Sequence, residues 1–116
     1  MGCSQPGILN LAAALDRVCG DQELLEEVAK LFLGTVPALL SQIREAVKER
    51  HAKSLERAAH TLKGSVGNFG AEAACEAALR LEKLGRAGEM TGVEEAYAAL
   101  EAEIERLRPE LAALAK

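Results

Sequence analysis

Apolar side chains recur along most of this chain at intervals of three and four residues, which is the period of an amphipathic helix. No segment alternates apolar and polar residues over the length of a strand. The only aromatic residues are Phe32, Phe69 and Tyr97, whereas Ala, Leu and Glu dominate the composition. That composition is typical of helices packed through small side chains. The pattern therefore predicts an all-α protein.

Start and stop signals divide the first half of the pattern into helices. Asn10 is predicted to cap a short helix, which Gly20 ends in a left-handed conformation. Asp21 then caps the next helix, whose apolar run breaks at Gly34-Thr35. A new segment follows, with Pro37 admissible in its first turn. Because the break is so short, a single kinked helix over the whole stretch is the alternative.

The next helix carries the most unusual residues of the chain. Its apolar stripe consists of Leu55, Ala58, Ala59, Leu62, Val66 and Phe69. Gly70 is predicted to end it. His60 points roughly 140° away from the stripe, and Gly64 and Gly67 lie within roughly 40° of the His60 direction. We therefore expect His60 to face solvent beside a surface cleared of side chains, where another protein can approach closely.

The last third of the chain predicts two more helices. The first has an apolar stripe over 71–81, and a Gly-rich polar turn over 85–92 follows it. Thr91 and Glu94 predict a capping box for the last helix, and Pro109 should kink or fray its end. Short connections favour antiparallel neighbours. The sequence thus predicts an antiparallel up-down four-helix bundle with a short N-terminal helix laid across it.

The length of 116 residues fits one small domain with a core of its own. We assign residues 8–116 to this domain and residues 1–7 to an N-terminal tail or a remnant of the expression vector. The three cysteines are an odd number at no metal-like spacing. Neither a disulfide framework nor a bound metal is therefore predicted.

Charge and hydropathy exclude two classes of partner. A net charge of -4 and a sequence pI near 5.2 argue against nucleic acid, because phosphate binding needs a dense positive field. The uncharged run Leu31 to Ile43 is too short to cross a bilayer, and no signal peptide precedes it. We expect a cytoplasmic protein with no membrane partner.

The neighbours of His60 suit chemistry on phosphate. Lys63, three residues on, can reach an anion held at the imidazole. Glu82 lies on the flank of the apolar stripe of the next helix, where it could face the helix of His60. A carboxylate that accepts from Nδ1–H would leave the Nε2 lone pair outward as a nucleophile. The alternative for Lys63 is a solvated charge. The alternatives for Glu82 are an ordinary helix-surface residue and an i,i+4 partner of Arg86. His51 is interpreted as a surface or C-capping histidine.

The motif His60-Thr-Leu-Lys63-Gly64, followed by Gly70-Ala71 and then Glu82, resembles a known family. It is similar to the histidine-containing phosphotransfer (HPt) domains of two-component phosphorelays, and the resemblance covers roughly residues 8 to 107. It implies a four-helix bundle without an ATP site. Such a bundle carries a phosphoryl group on one histidine between the aspartates of receiver domains.

The resemblance also implies roles for the motif residues. His60 would be the phosphoacceptor, Lys63 would steady the phosphoryl oxygens, Gly64 would open the surface, and Glu82 would orient the ring. Many members have Gln where this chain has Glu82. In having Glu at this position, the chain is similar to the phosphoacceptor domains of chemotaxis-type histidine kinases. The phosphoryl donor could therefore be a kinase instead of a receiver domain. We expect a monomer without a cofactor, with Mg²⁺ only on the partner receiver domain.

Two other classes of protein compete with this interpretation. A di-iron carboxylate bundle needs Glu-x-x-His pairs, but Lys48 and Arg57 stand three residues before His51 and His60. A docking or scaffold bundle, derived from a phosphotransfer domain but no longer phosphorylated, stays open as an alternative. No phosphate-binding loop or kinase signature is present, so we expect the phosphoryl donor to be a separate molecule or module.

Overall fold

The computed structural model describes residues 9–115 and contains, within them, five helices and no strand. The helices are α1 (Leu11–Arg17), α2 (Gln22–Lys48), α3 (Ala52–Gly67), α4 (Glu72–Ala87) and α5 (Val93–Leu114). The all-α prediction is therefore confirmed. The predicted tail, residues 1–7, lies outside the described residues.

The four long helices form a bundle in which each helix packs against two neighbours. Helix α2 contacts α3 and α5, and α4 contacts the same two helices, while neither diagonal pair comes into contact in the described part of the chain. The connections 49–51, 68–71 and 88–92 are short, so successive helices run antiparallel. Helix α1 packs on α2, and the Asn10 N–H donates to the Phe69 carbonyl at 2.9 Å, which holds α1 at the α3–α4 end.

The core consists of aliphatic side chains and one aromatic pair. Phe32 and Phe69 are tilted by 47° with their ring centroids 5.7 Å apart, a geometry that favours aromatic contact. Every member of the predicted α3 stripe is buried. The largest fully buried aliphatic side chains are Leu25, Ile43, Leu55, Leu62, Leu81, Leu100, Ile104, Leu107, Leu111, Val36 and Val66. No helix within residues 9–115 is long and apolar enough to span a membrane.

Helix α2 continues through Gly34-Thr35 and through Pro37. The predicted break at Gly34-Thr35 is wrong, and the alternative of one helix over the whole stretch is correct. An interior proline costs about 3 kcal/mol, whereas burying a large apolar side chain contributes about 1.5–3 kcal/mol. Phe32, Val36 and Leu40 are buried on both sides of Pro37, so tertiary packing outweighs the local cost.

Helix α5 behaves in the same way at its end. It continues past Pro109 to Leu114, and Leu111, beyond the proline, is fully buried. The predicted fraying is therefore wrong. The predicted capping box is wrong too, because Gly92 is the N-cap of α5, with φ of 78° and no side-chain cap hydrogen bond. Glu94 instead pairs with Arg50 of the α2–α3 connection at 3.3 Å.

The sequence pattern predicts that Gly85 begins the turn between α4 and α5. The structure instead places Gly85 in the last turns of α4, where it is buried. A Cβ on Gly85 would lie 2.7 Å from the Glu56 backbone N and 2.8 Å from the Ala52 carbonyl oxygen. Glycine therefore lets the C-terminal turns of α4 approach the first turns of α3. This close packing holds Glu82, one turn earlier on α4, against the helix that carries His60.

Candidate functional site

His60 stands on the outer surface of α3, where its side chain is 66% exposed. Its Nδ1 lies 2.8 Å from Oε2 of Glu82 on α4. An ionised carboxylate can only accept, so Nδ1 carries the ring proton in this contact. The neutral ring then has its lone pair on Nε2, which makes no hydrogen bond within the described residues.

The Glu82 side chain is only 3% exposed, and Glu82 is the one buried charged residue in the described chain. A buried carboxylate is costly unless cations or hydrogen-bond donors surround it. Oε2 accepts from His60 Nδ1 and from Arg86 Nη2, each at 2.8 Å. Oε1 has Lys63 Nζ at 2.8 Å, in the geometry of an ion pair and not of a well-aligned hydrogen bond.

These contacts favour the ionised form of Glu82. Lys63 lowers the pKa of Glu82 most, burial opposes this by raising it, and His60 lowers it further. The net result is a pKa below the ordinary value of 4.5. Glu82 is therefore a fixed hydrogen-bond acceptor for the imidazole at neutral pH.

Lys63 makes a contact that was not predicted from the sequence. Its side chain is 27% exposed and its ammonium rests on Glu82 Oε1, so the alternative of a solvated charge is wrong. The contact of Lys63 with an anion at the imidazole stays a prediction.

Two of the sequence interpretations of Glu82 apply at once, because the partner of His60 is also the i,i+4 partner of Arg86. The interpretation of Glu82 as an ordinary helix-surface residue is wrong, because Glu82 is buried. Sequence reasoning did not assign Arg86 to the site, although its i,i+4 spacing from Glu82 was a signal that could have done so.

The surface beside His60 is open at both predicted glycines. A Cβ on Gly64 or on Gly67 would meet nothing within 4 Å, so helix packing does not require glycine at either position. Gly70 differs, because it has φ of 63° and a Cβ there would lie 2.7 Å from Asn10 Cβ. Gly70 thus has a structural reason to be glycine, whereas the described residues 9–115 give none for Gly64 or Gly67.

His51 is separate from this cluster. It is the N-cap of α3, and its Nδ1 accepts from the Ser54 backbone N–H at 3.3 Å. The C-capping interpretation is therefore wrong, because His51 caps the helix that follows it and not the one before. Its exposure agrees with the prediction of a surface residue.

Comparison with known proteins identifies the class. The model of the Hpt domain family matches residues 27–110, which include most of α2, all of α3 and α4, and most of α5. The chain belongs to the Hpt domain family. Hpt domains are phosphotransfer carriers and not kinases, and this membership supports a role in histidine phosphotransfer within two-component signalling. Searches of curated proteins and of solved structures returned no match.

The Lys63–Glu82 pair predicts a pH-dependent part of the stability. Because the folded state lowers its pKa, the Glu82 carboxylate contributes to the stability of the fold above pH 4.5. This contribution is lost as the pH falls through the folded-state pKa. Lys63→Met removes the largest lowering influence, so the pKa of Glu82 should rise. Leaving the buried carboxylate without its ammonium should also cost about 1–3 kcal/mol at neutral pH.

Urea unfolding at a series of pH values, together with carbon-13 NMR titration of the Glu82 carboxyl, measures both effects. Lys53→Met is the matched control, because Lys53 is an exposed lysine of the same helix. We expect the control to keep the wild-type dependence of stability on pH. If Lys63→Met keeps it as well, the ammonium does not stabilise the ionised carboxylate.

Proposed function

We propose that this chain is a phosphorelay intermediate that carries a phosphoryl group on Nε2 of His60. The donor is the phosphorylated aspartate of a receiver domain or a histidine kinase, and the acceptor is an aspartate of another response regulator. The observation that carries this proposal is the exposed His60 imidazole, whose Nδ1 lies 2.8 Å from a buried carboxylate in a chain of the Hpt family.

The bond-making step needs two groups of this chain, the His60 imidazole and the Glu82 carboxylate that accepts from its Nδ1–H. The Nε2 lone pair forms a bond to phosphorus as the bond from phosphorus to the donor oxygen breaks, and the donor leaves with that electron pair. Because Nδ1 keeps its proton, the ring becomes positively charged. Glu82, already ionised and oriented, is placed to stabilise that charge. The reverse sequence delivers the phosphoryl group to the next aspartate.

Two further roles belong to this proposal. Lys63 has a flexible four-carbon stem, and when Nε2 carries a phosphoryl group its ammonium can turn from Glu82 Oε1 to steady the phosphoryl oxygens. Gly64, and Gly67 one turn further, keep the neighbouring surface low enough for a receiver domain to bring its aspartate to Nε2.

The partners in this proposal are response-regulator receiver domains, a histidine kinase, or both. An ionised Glu82 in place of the Gln of many family members favours a chemotaxis-type kinase among the donors. The chain acts as a cytoplasmic monomer, and Mg²⁺ is needed only on the receiver domain.

The test is to incubate the wild-type chain with receiver domains that carry a radiolabelled phosphoryl group on their aspartate. We expect label on the chain that is labile to acid and stable to base, as a phosphoramidate is. Addition of an unphosphorylated receiver should then remove it. The docking-scaffold alternative predicts that the receiver binds and that no label reaches the chain.

A further inference from the structure

Arg86 connects the two helices of the site through two carboxylates. It lies one turn after Glu82 on α4, and its Nη2 donates to Glu82 Oε2 at 2.8 Å. Its Nε donates to Oε2 of Glu56 at 3.2 Å, and Glu56 lies one turn before His60 on α3. The guanidinium therefore holds the acceptor of His60 and is itself anchored on the helix of His60.

This arrangement differs from an ordinary surface ion pair. The Arg86 side chain is 60% exposed, and pairs between two exposed groups contribute little. Here the acceptor oxygen is buried, and it is the same oxygen that His60 Nδ1 contacts. A planar guanidinium fixes the direction of both of its bonds, which a point charge such as an ammonium does not.

The geometry determines how the carboxylate can turn. Lys63 lies on Oε1 of Glu82 and Arg86 on Oε2, so cations hold both oxygens of the carboxylate independently of the imidazole. Rotation that moved Oε2 away from Nδ1 would break the Arg86 bond as well. The imidazole therefore meets an oxygen whose position is already set, which lowers the cost of ordering the pair.

We propose that Arg86 is a positioning residue for His60, which acts through Glu82 Oε2 to keep the ring proton on Nδ1 and the Nε2 lone pair outward. The link to phosphoryl transfer rests on the function proposed above. The link to the ring proton does not, because the state of the imidazole can be measured without any phosphoryl donor.

The test compares two variants of Arg86. Arg86→Met keeps most of the aliphatic part of the side chain, and Arg86→Lys keeps the positive charge but not the planar guanidinium. Arg80→Met is the control, because Arg80 is an exposed arginine of α4 that lies about 160° around the helix from Glu82. Nitrogen-15 NMR of the His60 ring reports which nitrogen carries the proton. Uptake from phosphoramidate, a small phosphoryl donor that needs no docking surface, reports the reactivity of Nε2.

In Arg86→Met we expect the share of rings protonated on Nδ1 to fall, because the proton of a histidine ring in water prefers Nε2. Uptake should fall about fivefold, which corresponds to about 1 kcal/mol in the barrier. Arg86→Lys should be intermediate, and Arg80→Met should match wild type. Glu56→Gln should produce part of the loss alone and add little in the Arg86→Met background, because both act through one chain of contacts.

An unchanged ring proton in Arg86→Met overturns the proposal, even if uptake falls, since Arg86 would then act directly on the phosphoryl group. The proposal is also overturned if the fraction of His60 rings protonated on Nδ1 is the same in Arg86→Met as in Arg80→Met. If the wild-type chain accepts no phosphoryl group from any donor, the proposed function fails instead. The nitrogen-15 comparison still decides the role of Arg86 in that case.

Discussion

Replacing His60 by Gln should abolish phosphoryl uptake and leave the helical bundle folded. The imidazole is 66% exposed and contributes no core contact, so little stability depends on it. An amide nitrogen in Gln can still donate to Glu82, but an amide has no nucleophilic lone pair comparable with that of Nε2. Transfer from a labelled receiver domain, with circular dichroism of the same sample, measures both expectations.

The matched control is His51→Asn, which removes the other histidine of the chain. Asn preserves a side-chain acceptor at the α3 N-cap, so the bond to the Ser54 N–H can be kept. This variant should accept label like the wild type. Acid-labile label that persists in His60→Gln, or that disappears in His51→Asn, would contradict the assignment of the phosphoacceptor.

Substitutions at Gly64 should move stability and transfer in opposite directions. The position is helical with open space around it, so Gly64→Ala should stabilise the domain by up to about 1 kcal/mol. Gly64→Gln should keep most of that gain. A side chain one turn from His60 obstructs an approaching receiver, so transfer from a receiver should fall modestly for Ala and severely, by about a hundredfold or about 2.7 kcal/mol of barrier, for Gln.

Phosphoramidate separates approach from chemistry in these Gly64 variants. A small donor needs no protein surface, so its reaction with His60 in Gly64→Gln should stay near the wild-type rate. Gly67→Gln, one turn further along α3, should show the same selective loss to a smaller degree. A Gly64→Gln protein that melts at lower temperature and still accepts from the receiver at the wild-type rate would show that glycine serves packing.

Much of the fold follows from periodicity alone. The α3 stripe is buried as its spacing predicts, and Asp21 caps α2 through a bond from the Leu24 N–H at 3.1 Å. Local breakers misled the prediction of helix length at Gly34-Thr35 and at Pro109. Their cost is local and readable from sequence, whereas the burial that outweighs it depends on helices far along the chain.

The candidate site shows the same division between local and tertiary information. Helical phase is enough to place Glu82 where it can meet His60, and Glu82 Oε2 lies 2.8 Å from His60 Nδ1. The role of that contact in transfer stays a prediction. The Arg86–Glu82 pair was one of the predicted alternatives, because it lies within one helix at i,i+4 spacing. The position of Lys63 on the same carboxylate was not predicted, because it depends on how deeply α4 packs against α3. The close approach at Gly85 sets that depth, and it leaves no periodic signal in the sequence.

The central claim is that Nε2 of His60 carries the phosphoryl group while Nδ1 keeps its proton for Glu82. The most direct test is NMR of the phosphorylated wild-type chain with nitrogen-15 in its histidines, where coupling to phosphorus identifies the bonded nitrogen. We predict a one-bond coupling at His60 Nε2 and a proton retained on Nδ1. Phosphorus on Nδ1 of His60, on His51 or on an oxygen of any side chain would contradict the account.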